Sequence, residues 1–97
     1  MNAAVNELLI DKAEIPQLNV ARQDVLTDAW SKVRRTDALR RAMMLGNLHK
    51  QKVRISFQST DGPRAIETTV WGVTDRHVQL KGGISLPVAC IRSVAFC

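Results

Sequence analysis

The 97 residues carry 14 Lys+Arg against 9 Asp+Glu, a net charge of +5, with 45% apolar and 24% charged side chains. A chain below the usual domain size of roughly 100–150 residues has room for one modest core, which excludes a large multi-lobed enzyme. No apolar run approaches the ~18 residues of a membrane span, the opening MNAAVNELLIDKAEI lacks the basic start of a secretory signal, and two cysteines are too few for a disulfide scaffold. These features predict a cytoplasmic protein with reduced thiols.

Residues 1–20 read as a mobile N-terminal arm, and residues 21–97 as a single helix-plus-barrel domain. In the arm, Val5, Leu8, Leu9 and Ile10 form a short apolar group able to dock on a neighbouring surface or subunit, and Pro16 after Ile15 discourages a helix running through. From about Gln23 to Arg35, the apolar positions Val25, Leu26, Ala29, Trp30 and Val33 recur at spacings of three and four. That spacing predicts an amphipathic helix anchored by Trp30. The phase then slips to Ala38, Leu39, Ala42, Met43 and Leu45, which predicts either a kinked helix or two helices. The restart falls at Thr36, with Asp37 in the first turn, and the stop at Gly46-Asn47. Met43-Met44-Leu45 reads as ordinary core, with a partner groove as the alternative.

After Gly46 the period becomes two. Val53, Ile55 and Phe57 alternate with Arg54, Ser56 and Gln58, which gives a half-buried strand over about 50–58. Residues 59–64 form a loop by composition, and Ile66, Thr68 and Val70 then alternate against Glu67, Thr69 and Trp71. The face carrying Trp71 is covered by the helix that bears Trp30, or else it is an oligomer or ligand interface. After a turn at Thr74-Asp75-Arg76, Val78 and Leu80 alternate in a third strand. Gly82-Gly83 makes a tight hairpin turn into Ile84-Ser85-Leu86, Val88-Ala89-Cys90 suits a single tight turn, and Ile91 to Phe96 forms the last strand. Five short strands after a helix cannot bury their faces as a flat sheet. The expected fold is therefore α+β, mainly β, with an N-terminal helix followed by a five-stranded, strongly bent antiparallel small barrel.

This order of elements resembles the Sm-like and SH3-like small barrels over residues about 23–96. The segment Asp75-Arg76-His77-Val78-Gln79-Leu80 is similar to the Asp-x-His-Met-Asn-Leu segment of Sm-like RNA-binding proteins. The resemblance implies that His77 stacks on a base and Gln79 hydrogen-bonds a base edge. It also implies that neighbouring copies pair strand edges into a ring. A planar imidazole and an amide with both donor and acceptor suit those two roles.

The charge is local. Residues 1–30 hold two Lys+Arg and five Asp+Glu, residues 31–54 hold eight and one, and residues 55–97 hold four and three. Such a cluster attracts phosphate polyanions; it also serves as the solvated face of a helix. The candidate nucleic-acid-binding residues are Arg34, Arg35, Arg40, Arg41, Arg76, His77 and Gln79. Neither histidines nor cysteines have metal-ligand spacing, no carboxylate pair stands out, and Cys90 reads as a small buried hydrophobe. No catalytic residue, metal or cofactor is expected. Two functions fit these residues: a non-enzymatic small-barrel protein that binds RNA or single-stranded nucleic acid in a regulatory role, and a protein-interaction module or oligomerising adaptor.

Overall fold

A computed structural model describes residues 7–96, so that Val5 of the apolar group in the arm lies outside the described residues. One helix, α1 (Ala29–His49), precedes most of a strand-rich body built from β1 (Leu8–Leu9), β2 (Val53–Ser59), β3 (Gly62–Thr68), β4 (Val70–Val73), β5 (His77–Leu80), β6 (Ile84–Pro87) and β7 (Ile91–Phe96). The strands form two sheets, β1-β3-β2-β7 and β4-β5-β6. The fold is α+β.

Helix α1 is continuous, without the restart expected at Thr36. Asp28 caps it, its carboxylate accepting the Ser31 N–H at 2.9 Å. The Thr36 hydroxyl donates to the Lys32 carbonyl at 3.1 Å, a bond back along the helix that needs no break. The phase slip has a different cause. The residues of α1 that are buried are Arg35, Leu39, Ala42 and Gly46, whereas Trp30 and Val33 lie exposed on the opposite face. Two apolar stripes on one continuous helix thus produce the pattern expected of two helices. Trp30 is 70% exposed and is no core anchor.

Gly46 does not stop the helix either. A Cβ there would meet the Val70 carbonyl oxygen at 2.5 Å and the Thr69 Cγ2 at 2.9 Å, so its missing side chain lets α1 lie directly against β4. The stop comes at Lys50, whose φ of 54° turns the chain left-handed while its N–H bonds the Gly46 carbonyl at 3.0 Å.

In the first sheet, β2 sits between β3 and β7, and its Val53, Ile55 and Phe57 are fully buried. The turn into β3 is shorter than composition predicts. Ser59 pairs with Gly62, the Ser59 hydroxyl donates to the Gly62 carbonyl at 2.8 Å, and Gly62 supplies a φ of 124°; Pro63 and Arg64 already belong to the strand. Thr69 alone separates β3 from β4, so the chain passes from one sheet to the other there. Thr68 and Thr69 are both buried, which breaks the expected alternation. A register slip between Val70 and Gly72 then leaves Trp71 unpaired and 51% exposed, not covered by α1. Gly82 and Gly83, at φ 92° and 82°, turn β5 into β6, and a 3₁₀ helix at Val88–Cys90 leads into β7.

Residues 8–20, assigned to the arm, lie along this body. β1 runs parallel to β3 with Leu8 opposite Arg64 and Leu9 opposite Ala65, and a 3₁₀ helix at Lys12–Gln17, held by a capping box between Asp11 and Glu14, places Ile15 in the core. Leu39 and Ala42 from α1, Phe57 from β2, Val78 and Leu80 from β5 and Cys90 belong to the same core cluster as Ile15.

Candidate nucleic-acid interface

Arg35 and Arg34 are neighbours in sequence with opposite fates. The α-helical period turns Arg35 to the core side, where it is 6% exposed. Its Nη1 and Nη2 donate to the two Asp24 carboxylate oxygens at 2.8 and 2.7 Å, and Nη1 also donates to the Ile91 carbonyl at 3.0 Å. This bidentate pair ties the segment before α1 to the helix and to the start of β7. The hydrogen bonds from Arg35 hold the Asp24 carboxyl down at about 2, against its partial desolvation; the Leu26 N–H on the same carboxylate helps. Arg35 is therefore a fastening of the fold rather than a free phosphate ligand.

Arg34 lies outside that pair, exposed, in a groove of about 290 Å³ between α1 and β7 that Arg92 and Ser93 also line. Arg92 is exposed too and donates to the Gln58 side-chain oxygen at 2.8 Å. On the other side of the Asp24–Arg35 pair, a cleft of about 380 Å³ brings Arg22, Arg76 and His77 together beside Pro87 and Asp75. The turn that presents Arg76 and His77 is fixed by Thr74, whose side-chain oxygen accepts the His77 N–H at 3.0 Å and whose own N–H bonds the His77 carbonyl at 2.8 Å. A smaller hollow of about 130 Å³ adjoins this cleft through Asp75 and Val88 and carries Arg40 and Thr36. A shallow concavity of about 850 Å³ adjoins it through Arg22 and Pro87, with Arg22 its single charged lining residue.

The first two of these clefts share Arg35 as a lining residue, and the second shares Asp75 and Val88 with the smallest, so their arginines cluster around the N-terminal half of α1 and form one arginine-rich surface region. Of the residues singled out in the sequence, Arg34, Arg40, Arg76 and His77 reach that surface. Arg41 does not line it; its guanidinium lies over the Phe96 ring at 5.4 Å from the centroid. Gln79 is exposed on β5, opposite Gly72 and Ser85, and lines none of these clefts. Arg22 and Arg92 are additions made by the fold. Arg92 is legible in the sequence as an outward position of the last strand, and Arg22 carries no local signal.

Two further features bear on chemistry. Cys90 is fully buried, its thiol donating to the Pro87 carbonyl at 3.0 Å, and burial pushes it up to about 12, which keeps it protonated. Trp71 forms a separate cleft of about 320 Å³ with Asn47, Lys50 and Lys81 at the other end of α1. Among the described residues no group of three or more His, Cys, Asp or Glu is placed to hold a metal ion, and no helix is long and apolar enough to cross a membrane. No protein-family model, curated protein or solved structure matches the chain.

Proposed function

We propose that this is a small-barrel protein that binds RNA or other single-stranded nucleic acid on the arginine surface, without catalysis. The observation that carries the reading is the clustering of exposed arginines in adjacent clefts around the N-terminal half of α1. Arg22 and Arg76 share a cleft with the Asp24 carboxylate, which Arg35 already neutralises, and Arg34, Arg92 and Arg40 line the two adjoining clefts, so the net field there favours a phosphate chain. Asp75 is the carboxylate within it that has no cationic partner within 4.0 Å among the described residues. His77, exposed next to Arg76, supplies a planar ring where the backbone of a bound strand would pass.

The barrel itself is part of the proposal. A helix ahead of most strands and a 3₁₀ turn before the last one support the Sm-like or SH3-like order of elements, while the seven strands stand in two sheets that are not closed on each other, so that the barrel is the proposed reading of their arrangement. Extending the likeness to a ring of copies would require pairing at strand edges.

The test is a fluorescence-anisotropy titration of labelled single-stranded RNA with the nuclease-treated protein. His77→Ala is expected to weaken binding about 5–100-fold, the worth of one stacked base, while leaving the slope of log Kd against log salt unchanged. Unaltered affinity would remove His77 from the interface. Absence of RNA binding at low salt would refute the proposed function.

A further inference from the structure

The outer face of α1 carries an ordered pattern that the nucleic-acid reading does not use. At 3.6 residues per turn, Trp30, Val33, Met44 and Leu48 fall within a sector of about 60° opposite the buried Leu39 and Ala42. All four are exposed, Trp30 at 70% and Leu48 at 71%. They make up half of the large apolar side chains exposed among the described residues, on one line of one helix. A helix that is apolar on both faces leaves one of them wet in a single copy.

Asp37 lies within this stripe, Arg41 borders it on one side and Arg40 on the other, and the placement of Asp37 and Arg41 is symmetric. Taking residue 39 as the centre, Trp30 lies nine positions before and Leu48 nine after, Val33 six before and Met44 five after, and Asp37 two before and Arg41 two after. The pattern therefore matches itself to within one position when reversed, with one exchange: the acidic position maps onto the basic one. Two copies of α1 laid antiparallel across a two-fold axis at residue 39 would set Trp30 against Leu48, Val33 against Met44 and Asp37 against Arg41, each contact made twice. That is the requirement for an isologous interface.

We propose that the protein forms a homodimer through the outer face of α1, paired antiparallel about residue 39. Charge complementarity selects a second copy as the occupant, because the groups in the middle of the stripe are each other's partners under the two-fold. Within one chain Asp37 and Arg41 do not pair: among the described residues neither is in an ion pair, and the Arg41 guanidinium rests on the Phe96 ring. Phe96, 38% exposed, extends the apolar area beside the stripe. The inference rests on the outer face of α1, with Phe96 beside it, and stands whether or not nucleic acid binds.

The test is the mass in solution by sedimentation equilibrium across a concentration series, on the full chain and three variants. The wild type should reach about twice its 10.8 kDa. Asp37→Arg brings two cations together at both crossings of the stripe, and Arg41→Asp brings two carboxylates together there. Each should remain monomeric with unchanged circular dichroism, since both positions are exposed. Mixed in equal amounts, these two variants should recover the doubled mass, and so should the double variant Asp37→Arg/Arg41→Asp alone. A wild type that stays monomeric or assembles into six or seven copies would overturn the proposal. So would single variants that dimerise like the wild type, or a mixture that stays monomeric.

Discussion

Replacing Asp24 by Ala is expected to destabilise the protein by about 3–5 kcal/mol, because it strands the Arg35 guanidinium in the interior with the Ile91 carbonyl as its remaining partner. Against a total stability of roughly 5–15 kcal/mol that loss is large, and for a chain of this length it corresponds to a fall in Tm on the order of 15 °C or more. Arg35→Ala costs less, about 2–3 kcal/mol, since the Asp24 it releases is partly exposed and can be hydrated. Arg34→Ala should stay within about 0.5 kcal/mol of the wild type. Urea unfolding followed by circular dichroism measures all three. Equal effects at positions 34 and 35 would contradict the assigned roles.

The same pair sets an acid dependence. With the folded-state carboxyl at about 2, below its ordinary 3.8, the bridge contributes its full share above about pH 4. That share, on the order of 2 kcal/mol, is lost as pH falls through the interval from about 4 to about 2. The unfolding free energy of the wild type should therefore drop more steeply across that interval than that of Asp24→Asn.

The second large effect concerns binding. Converting Arg22, Arg34, Arg76 and Arg92 together to Ala removes four exposed cations of the surface. For a single strand each phosphate neutralised contributes about 0.7 to the salt slope, so the slope should flatten by about 3. Between about 50 and 200 mM salt the wild type should then lose on the order of 50-fold more affinity than the variant. Gly62→Ala serves poorly as a control, because φ there is 124°; Lys52→Ala, exposed and outside these clefts, serves better. Unchanged slope in the four-arginine variant would place any binding elsewhere, with the Trp71, Lys50 and Lys81 cleft as the first alternative.

Much of the fold is legible in local pattern. The alternation of Val53, Ile55 and Phe57 marks β2, the glycine pair at 82 and 83 marks a hairpin, and the change of period after Gly46 separates helix from sheet. What stays hidden is tertiary. Arg34 and Arg35 are equivalent as sequence, and only a carboxylate 11 residues away and a carbonyl 56 residues away distinguish them. The phase of α1 misleads for a related reason: periodicity reports that apolar residues share a face but not which face meets the core. Trp30 and Val33 form a regular stripe and point outward. Arg22 and Arg92 join the surface because the segment before α1 and the start of β7 converge on Arg35, a meeting no local motif encodes. The break at Thr69 and the extruded Trp71 likewise follow from one strand serving two sheets.

Binding of a nucleic-acid strand to the arginine surface can be followed in the arginine Nε–H signals by NMR while single-stranded RNA is added. The signals of Arg22, Arg34, Arg76 and Arg92 should shift together and saturate, with Arg35, buried and paired to Asp24, staying in place as the internal reference. A titration that leaves those four signals unmoved would show that RNA does not bind there.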